Sequence, residues 1–110
     1  MKKHTVIWTK SATNDLELII EYIKIDSIKT AKEIFLQLKR ECQVLELMPE
    51  RKRVVPELQQ IGVSKYREVI YKRWRIIFKI EEFKVFVLIV VDSSRNLEDL
   101  LFQRLIDKNN

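Results

Sequence analysis

Tyr66-Arg67-Glu68-Val69-Ile70-Tyr71, Trp74-Arg75-Ile76-Ile77-Phe78-Lys79-Ile80 and Val85-Phe86-Val87-Leu88-Ile89-Val90-Val91 follow one another within residues 66–91. Each run is dense in β-branched and aromatic side chains, which suit a pleated, half-buried surface, so three successive strands are predicted. In the second run Trp74, Ile76, Phe78 and Ile80 alternate with Arg75, Ile77, Lys79 and Glu81, so one face meets a core and the other is largely polar. The third is apolar at every position, as for a central strand covered on both sides. Glu81-Glu82-Phe83-Lys84 supplies the turn between them, and Asp92-Ser93-Ser94 ends the last.

Only Lys72-Arg73 separates the first two strands, and the register there decides which side chains share a face. Pairing Tyr71 with Trp74 across a two-residue turn sets Arg67 opposite Phe78 and sends Arg75 to the other face. A three-residue or bulged loop pairs Val69 with Arg75 and puts both arginines on one face, as a shared phosphate site requires. Two-residue turns favour glycine or asparagine, and neither is present, so the sequence leaves both registers open.

Upstream the period lengthens. Thr5-Val6-Ile7-Trp8 reads as a short strand. Behind a predicted Ser11 N-cap, Ala12, Leu16, Ile19, Ile20 and Ile23 form one helical stripe. Asp26-Ser27 breaks it and caps a second helix carrying Ala31, Ile34, Phe35, Leu38, Cys42 and Leu45. Pro49 forces that helix to end near Met48. Downstream, Asn96 with Asp99 predicts a closing helix over 96–107 with a stripe of Leu97, Leu100, Leu101 and Leu105, which either folds back on the sheet or packs on a partner. The order β-α-α-β-β-β-α predicts an α+β fold: an antiparallel-rich sheet of about four strands, covered on one face by the helical hairpin.

The 110 residues, 46% of them hydrophobic, suit a single domain over 1–110. One glycine and two prolines exclude a fibrous or low-complexity chain. The longest apolar run, Val85 to Val91, is far shorter than the ~20 residues of a membrane span, and Met1-Lys2-Lys3-His4 lacks the apolar stretch of a secretory signal. A single cysteine, Cys42, fits a reducing compartment, so a cytoplasmic location is expected. His4, expected to be exposed, and Cys42 make no metal cluster, and neither a catalytic triad nor a glycine-rich phosphate loop is present. No metal and no cofactor are expected.

The positive charge is local. Residues 1–50 carry eight basic and eight acidic side chains; residues 51–79 carry nine against two, a net of +7; residues 80–110 carry four against six, a net of −2. A segment of that charge suits phosphates or an acidic protein. Lys52, Arg53, Lys65, Arg67, Arg73 and Arg75 are therefore the candidate target-binding cations. Arginine offers paired donors to phosphate, and Tyr66, Tyr71 and Trp74 either stack on bases or fill the core. A cationic β-surface backed by the helical pair is the expected contact with the target.

Several stretches, taken in order, resemble the RelE/ParE family of bacterial toxins, the toxic halves of type II toxin–antitoxin modules. Trp8-Thr9-Lys10-Ser11-Ala12 with Asp15-Leu16 and Ile19…Tyr22-Ile23 looks like the opening strand and helix. Leu45…Pro49…Arg53-Val54-Val55-Pro56-Glu57-Leu58 looks like the segment after the hairpin. Tyr66-Arg67-Glu68-Val69 and Trp74-Arg75-Ile76-Ile77-Phe78 resemble the paired strands, and Val90-Val91-Asp92-Ser93-Ser94-Arg95 with Leu100-Leu101…Arg104-Leu105 the closing strand and helix. The resemblance implies a toxin of the plasmid-stabilisation type that arrests growth and is neutralised by an acidic antitoxin, its own oligomeric state left open. One branch cuts ribosome-bound mRNA without a metal; there Glu57 is the implied base, and Arg67, Arg75 and Arg95 stabilise charge. That branch usually carries a tyrosine or histidine near its C-terminus, and neither occurs after Tyr71. The other branch, which poisons DNA gyrase, is the one expected here. A non-toxic module that binds nucleic acid or an acidic protein is the third reading.

Overall fold

The structure, a computed structural model, describes residues 3–106. Strand β1 (Thr5–Trp8) leads into helices α1 (Lys10–Lys24) and α2 (Ile28–Gln43), which form an antiparallel hairpin. A 3-10 turn over Val44–Glu46 and a second over Pro49–Arg51 precede β2 (Arg53–Val54) and the one-turn helix α3 (Pro56–Gln59). Strands β3 (Tyr66–Tyr71), β4 (Trp74–Glu81) and β5 (Lys84–Asp92) follow, and then α4 (Leu97–Leu101), which continues as a π turn over Phe102–Ile106. The sheet has five strands in the order β1-β5-β4-β3-β2, with β1 parallel to β5 and every other pair antiparallel. The fifth strand, β2, exceeds the expected four. It consists of two residues paired with Arg67 and Glu68, too short to print a period of two.

Thr9, not Ser11, caps α1. Its Oγ1 accepts the Ala12 N–H at 3.2 Å and donates to the Val87 carbonyl at 2.8 Å, tying the helix start to β5. Ser27 caps α2 as expected, through Thr30 N at 3.1 Å. The second helix stops earlier than predicted, at Gln43, because the chain tightens to a 3-10 turn and then turns at Met48 (φ 52°) ahead of Pro49. The only glycine, Gly62 (φ +83°), closes α3: its N–H reaches the Gln59 carbonyl and the Val63 N–H the Leu58 carbonyl, the paired bonds of a Schellman end. Asn96 makes no backbone cap; its amide donates to the Asp99 carboxylate at 3.3 Å. Residue 107, the end of the predicted closing helix, lies outside the described residues, as do Met1 and Lys2.

Both faces of the sheet are covered. The hairpin lays Leu16, Ile34, Leu38 and Cys42 on Val69, Trp74, Ile76, Phe78, Val85, Val87 and Val90. On the opposite face Val55, Leu58, Leu97, Leu101 and Leu105 bury Tyr66, Ile77, Ile89 and Val91. The closing leucine stripe therefore folds back on the sheet. Leu88 makes this possible. Phe78 pairs with Val87 and Ile77 with Ile89, so Leu88 is an extra residue in β5, a bulge that shifts parity. Ile89 and Val91 reach the second core and Val90 the first, the reverse of an uninterrupted alternation.

Candidate functional site

Tyr71 pairs with Trp74 and Arg67 with Phe78, so the two-residue turn is the one used, with Lys72 in the left-handed region at φ 53°. Arg67 thus stands on the hairpin side of β3, with Val69 and Tyr71. Glu68 and Arg75 stand on the opposite side.

There the charges form a chain. Arg75 Nε donates to Glu68 Oε1 at 2.7 Å, and its Nη1 and Nη2 grip both oxygens of Glu57 at 2.8 Å each. Arg53 Nε donates to Glu68 Oε2 at 2.6 Å, directly across the β2–β3 pair. The order Arg53–Glu68–Arg75–Glu57 alternates in sign and is formally neutral. Glu68 is 2% exposed and Arg75 8%. The Arg75 fork holds the Glu57 carboxyl below the usual carboxylate range, and Glu57, outweighing the burial that opposes it, raises the Arg75 guanidinium above its ordinary value. Planar, bidentate pairing of this kind suits arginine and fixes geometry as well as energy.

The expected cationic surface is therefore divided. Arg75 is buried and holds two carboxylates. Arg53 is exposed but bound to Glu68, and Arg73 is exposed but bound to Asp92 at 2.6 Å. Asp92 lies below its ordinary range, chiefly because it accepts the Ser94 N–H at 2.9 Å. Arg67 donates to the Lys52 carbonyl at 2.6 Å on the far side of the sheet from Arg75. Lys65 lies over the Tyr66 ring, 5.3 Å from its centre. Arg95 is exposed in the loop after β5. Among the described residues Lys52, Lys65, Arg67 and Arg95 form no salt bridge. The four residues named for a nuclease are not brought together: Glu57 and Arg75 meet each other, Arg67 faces away from them, and Arg95 sits in another loop. Tyr66 and Trp74 are buried and Tyr71 half-buried.

Asp15 and Arg104, which the sequence offered only as matching letters, form a second ionic contact. Beyond Trp8 the edge of β5 has no strand partner. Asp15 accepts the Val90 N–H at 3.0 Å, Arg104 donates to the Leu88 carbonyl at 2.8 Å, and the two side chains pair at 3.2 Å. Backbone groups freed at the bulge are satisfied by helices from opposite ends of the chain. Nothing in the local sequence marked this, since Asp15 and Arg104 stand 89 positions apart.

Cys42 is buried in the α2 stripe, and that burial pushes its thiol up to about 12. His4, expected to be exposed, is half-buried with its ring tilted against Phe83, centroids 5.7 Å apart. No described helix is long and apolar enough to cross a membrane.

The sequence model of the ParE toxin of the type II toxin–antitoxin system, parDE, matches residues 6–97. No curated protein sequence matches the chain. The fold is similar to a chain of the chromosomal ParDE system from P. aeruginosa, with a TM-score of 0.68 at 15% identity, over 82% of this chain and 96% of that one. It is also similar to a chain of the toxin–antitoxin complex RelBE2 from Mycobacterium tuberculosis, with a TM-score of 0.60 at 20% identity, over 86% and 97%. With the match running from the first strand to the closing helix, the chain belongs to the ParE toxins of type II toxin–antitoxin systems.

Proposed function

We propose that this chain arrests bacterial growth by acting on DNA gyrase in the cytoplasm, and that a cognate acidic antitoxin neutralises it. The observation that carries this reading is the state of the one candidate base. Attack by a ribose 2′-hydroxyl needs a carboxylate free to take its proton, with cations aimed at the same phosphate. Glu57 has both oxygens in the fork of Arg75, which lowers its basicity, and Arg67 faces the opposite side of the sheet. Residues 96–110 contain no tyrosine or histidine to protonate a leaving oxygen. Binding without cleavage fits this arrangement better than RNA hydrolysis.

The antitoxin follows from the family and from the two similar structures, both of toxin–antitoxin systems. A net of +7 over residues 51–79 favours an acidic partner and speeds its encounter. Lys52, Lys65 and Arg67 are the proposed target contacts, with Arg53 and Arg73 at their margin; Arg75 organises the strands from within.

The test expresses the chain alone and beside the neighbouring small open reading frame, then measures purified gyrase. Growth arrest relieved by co-expression, gyrase-dependent DNA breaks, and an uncut message in primer extension are expected. Cuts in translated mRNA that vanish in Glu57→Ala or Arg67→Ala would transfer the chain to the nuclease reading. Unimpaired growth on expression alone would leave a binding module.

A further inference from the structure

We infer that the outer face of the α1–α2 hairpin is a two-fold interface through which two copies of this chain associate. Phe35, which belongs to the helical stripe of α2 by spacing, turns away from the core and is 39% exposed; Leu36 is 55% and Ile28 61% exposed. Ile20 and Phe35 form a ridge between two hollows. The hollow toward the hairpin tip, about 490 Å³, is bounded by Lys24, Ile28, Lys32 and Leu36. The hollow toward the base, about 360 Å³, is bounded by Glu17 and Glu21.

The face thus carries Lys24 and Lys32 at one end, is apolar in the middle, and carries Glu17 and Glu21 at the other, where the Lys39 ammonium lies 5.8 Å from the Phe35 ring and over Trp8. A two-fold axis through the ridge reverses that order in the second copy. Lys24 and Lys32 of each then meet Glu17 and Glu21 of the other, and Ile20 and Phe35 of each meet those of the other at the axis, the self-complementarity that an isologous contact demands. An acidic peptide would be repelled by the glutamate end and a basic one by the lysine end, whereas a second copy matches both ends by symmetry. The existing Lys24–Glu21 contact, 3.4 Å and exposed, is of the weak surface kind and can be exchanged. Helices of 15 and 16 residues give a face about 22 Å long and about 20 Å wide, so roughly 900 Å² in total is covered, the low end for specific association.

Sedimentation equilibrium of the full chain at about 1–200 µM tests this. Concentration-dependent dimers that weaken at high salt are expected. Phe35→Glu should abolish them. Lys24→Glu with Lys32→Glu, and separately Glu17→Lys with Glu21→Lys, should each weaken association about ten-fold or more. Mixing those two double variants should restore it, because these four positions of each copy then meet opposite charges on the other. All these positions lie on the exposed hairpin, and circular dichroism verifies that each variant folds. A wild-type chain that stays monomeric throughout overturns the inference, and so does a dimer indifferent to these substitutions. Protection of Phe35 by an antitoxin in the absence of any toxin dimer overturns it as well and gives the face to that partner.

Discussion

At Arg75 one guanidinium holds two carboxylates from two different elements, Glu68 of β3 and Glu57 of α3. Removing one member of a buried pair strands the other, so Arg75→Met should lower stability by about 3–5 kcal/mol in urea denaturation. A loss under about 1 kcal/mol would show that the chain of charges is not structural. Glu57 gives a sharper readout. Its carboxyl titrates lower in the folded state than its ordinary 4.5, so the unfolded chain binds the proton more readily. The stabilisation is complete above about pH 5 and declines as pH falls through the folded value. Glu57→Gln should flatten this acid limb relative to wild type, while Glu81 and Asp92, also shifted downward, remain in both proteins. Parallel stability curves for the two would sever Glu57 from acid sensitivity. Composition made the excess of arginine over carboxylate visible at 51–79; it did not show that Arg53, Glu57, Glu68 and Arg75 neutralise one another, since that depends on the register between β3 and β4.

Among the elements, β3 to β5 and both hairpin helices were legible because each spans enough residues to print its own period. β2 was not, being two residues between turns. The π turn after α4 leaves no mark in a leucine stripe. Register was undecidable for a specific reason: Lys72 occupies a left-handed position that ordinarily goes to glycine or asparagine. Because the strain of an L-residue there is of the order of 1 kcal/mol, Lys72→Asn should raise stability by about 0.5–1 kcal/mol, a rise of about 3–5 °C in Tm by calorimetry. No rise, or a fall, would mean that Lys72 earns its place through its contact with the Tyr71 ring, 5.7 Å away.

For the molecule as a whole, the sheet is sealed on one face by the hairpin and on the other by α3 and the closing helix. A chain ending at Asn96 leaves Ile77, Ile89 and Val91 uncovered and the Leu88 carbonyl without Arg104. It should lose its cooperative thermal transition and bind more of a hydrophobic dye than the full chain does. A truncated protein that melts sharply would place the stability in the hairpin side alone. Asp15 and its counterpart Arg104 stand 89 positions apart, so the clamp over the bulge cannot form until the whole stretch between them has been made. The irregular stretch of β5 is thus held by groups that sequence distance keeps apart until the chain has closed on itself.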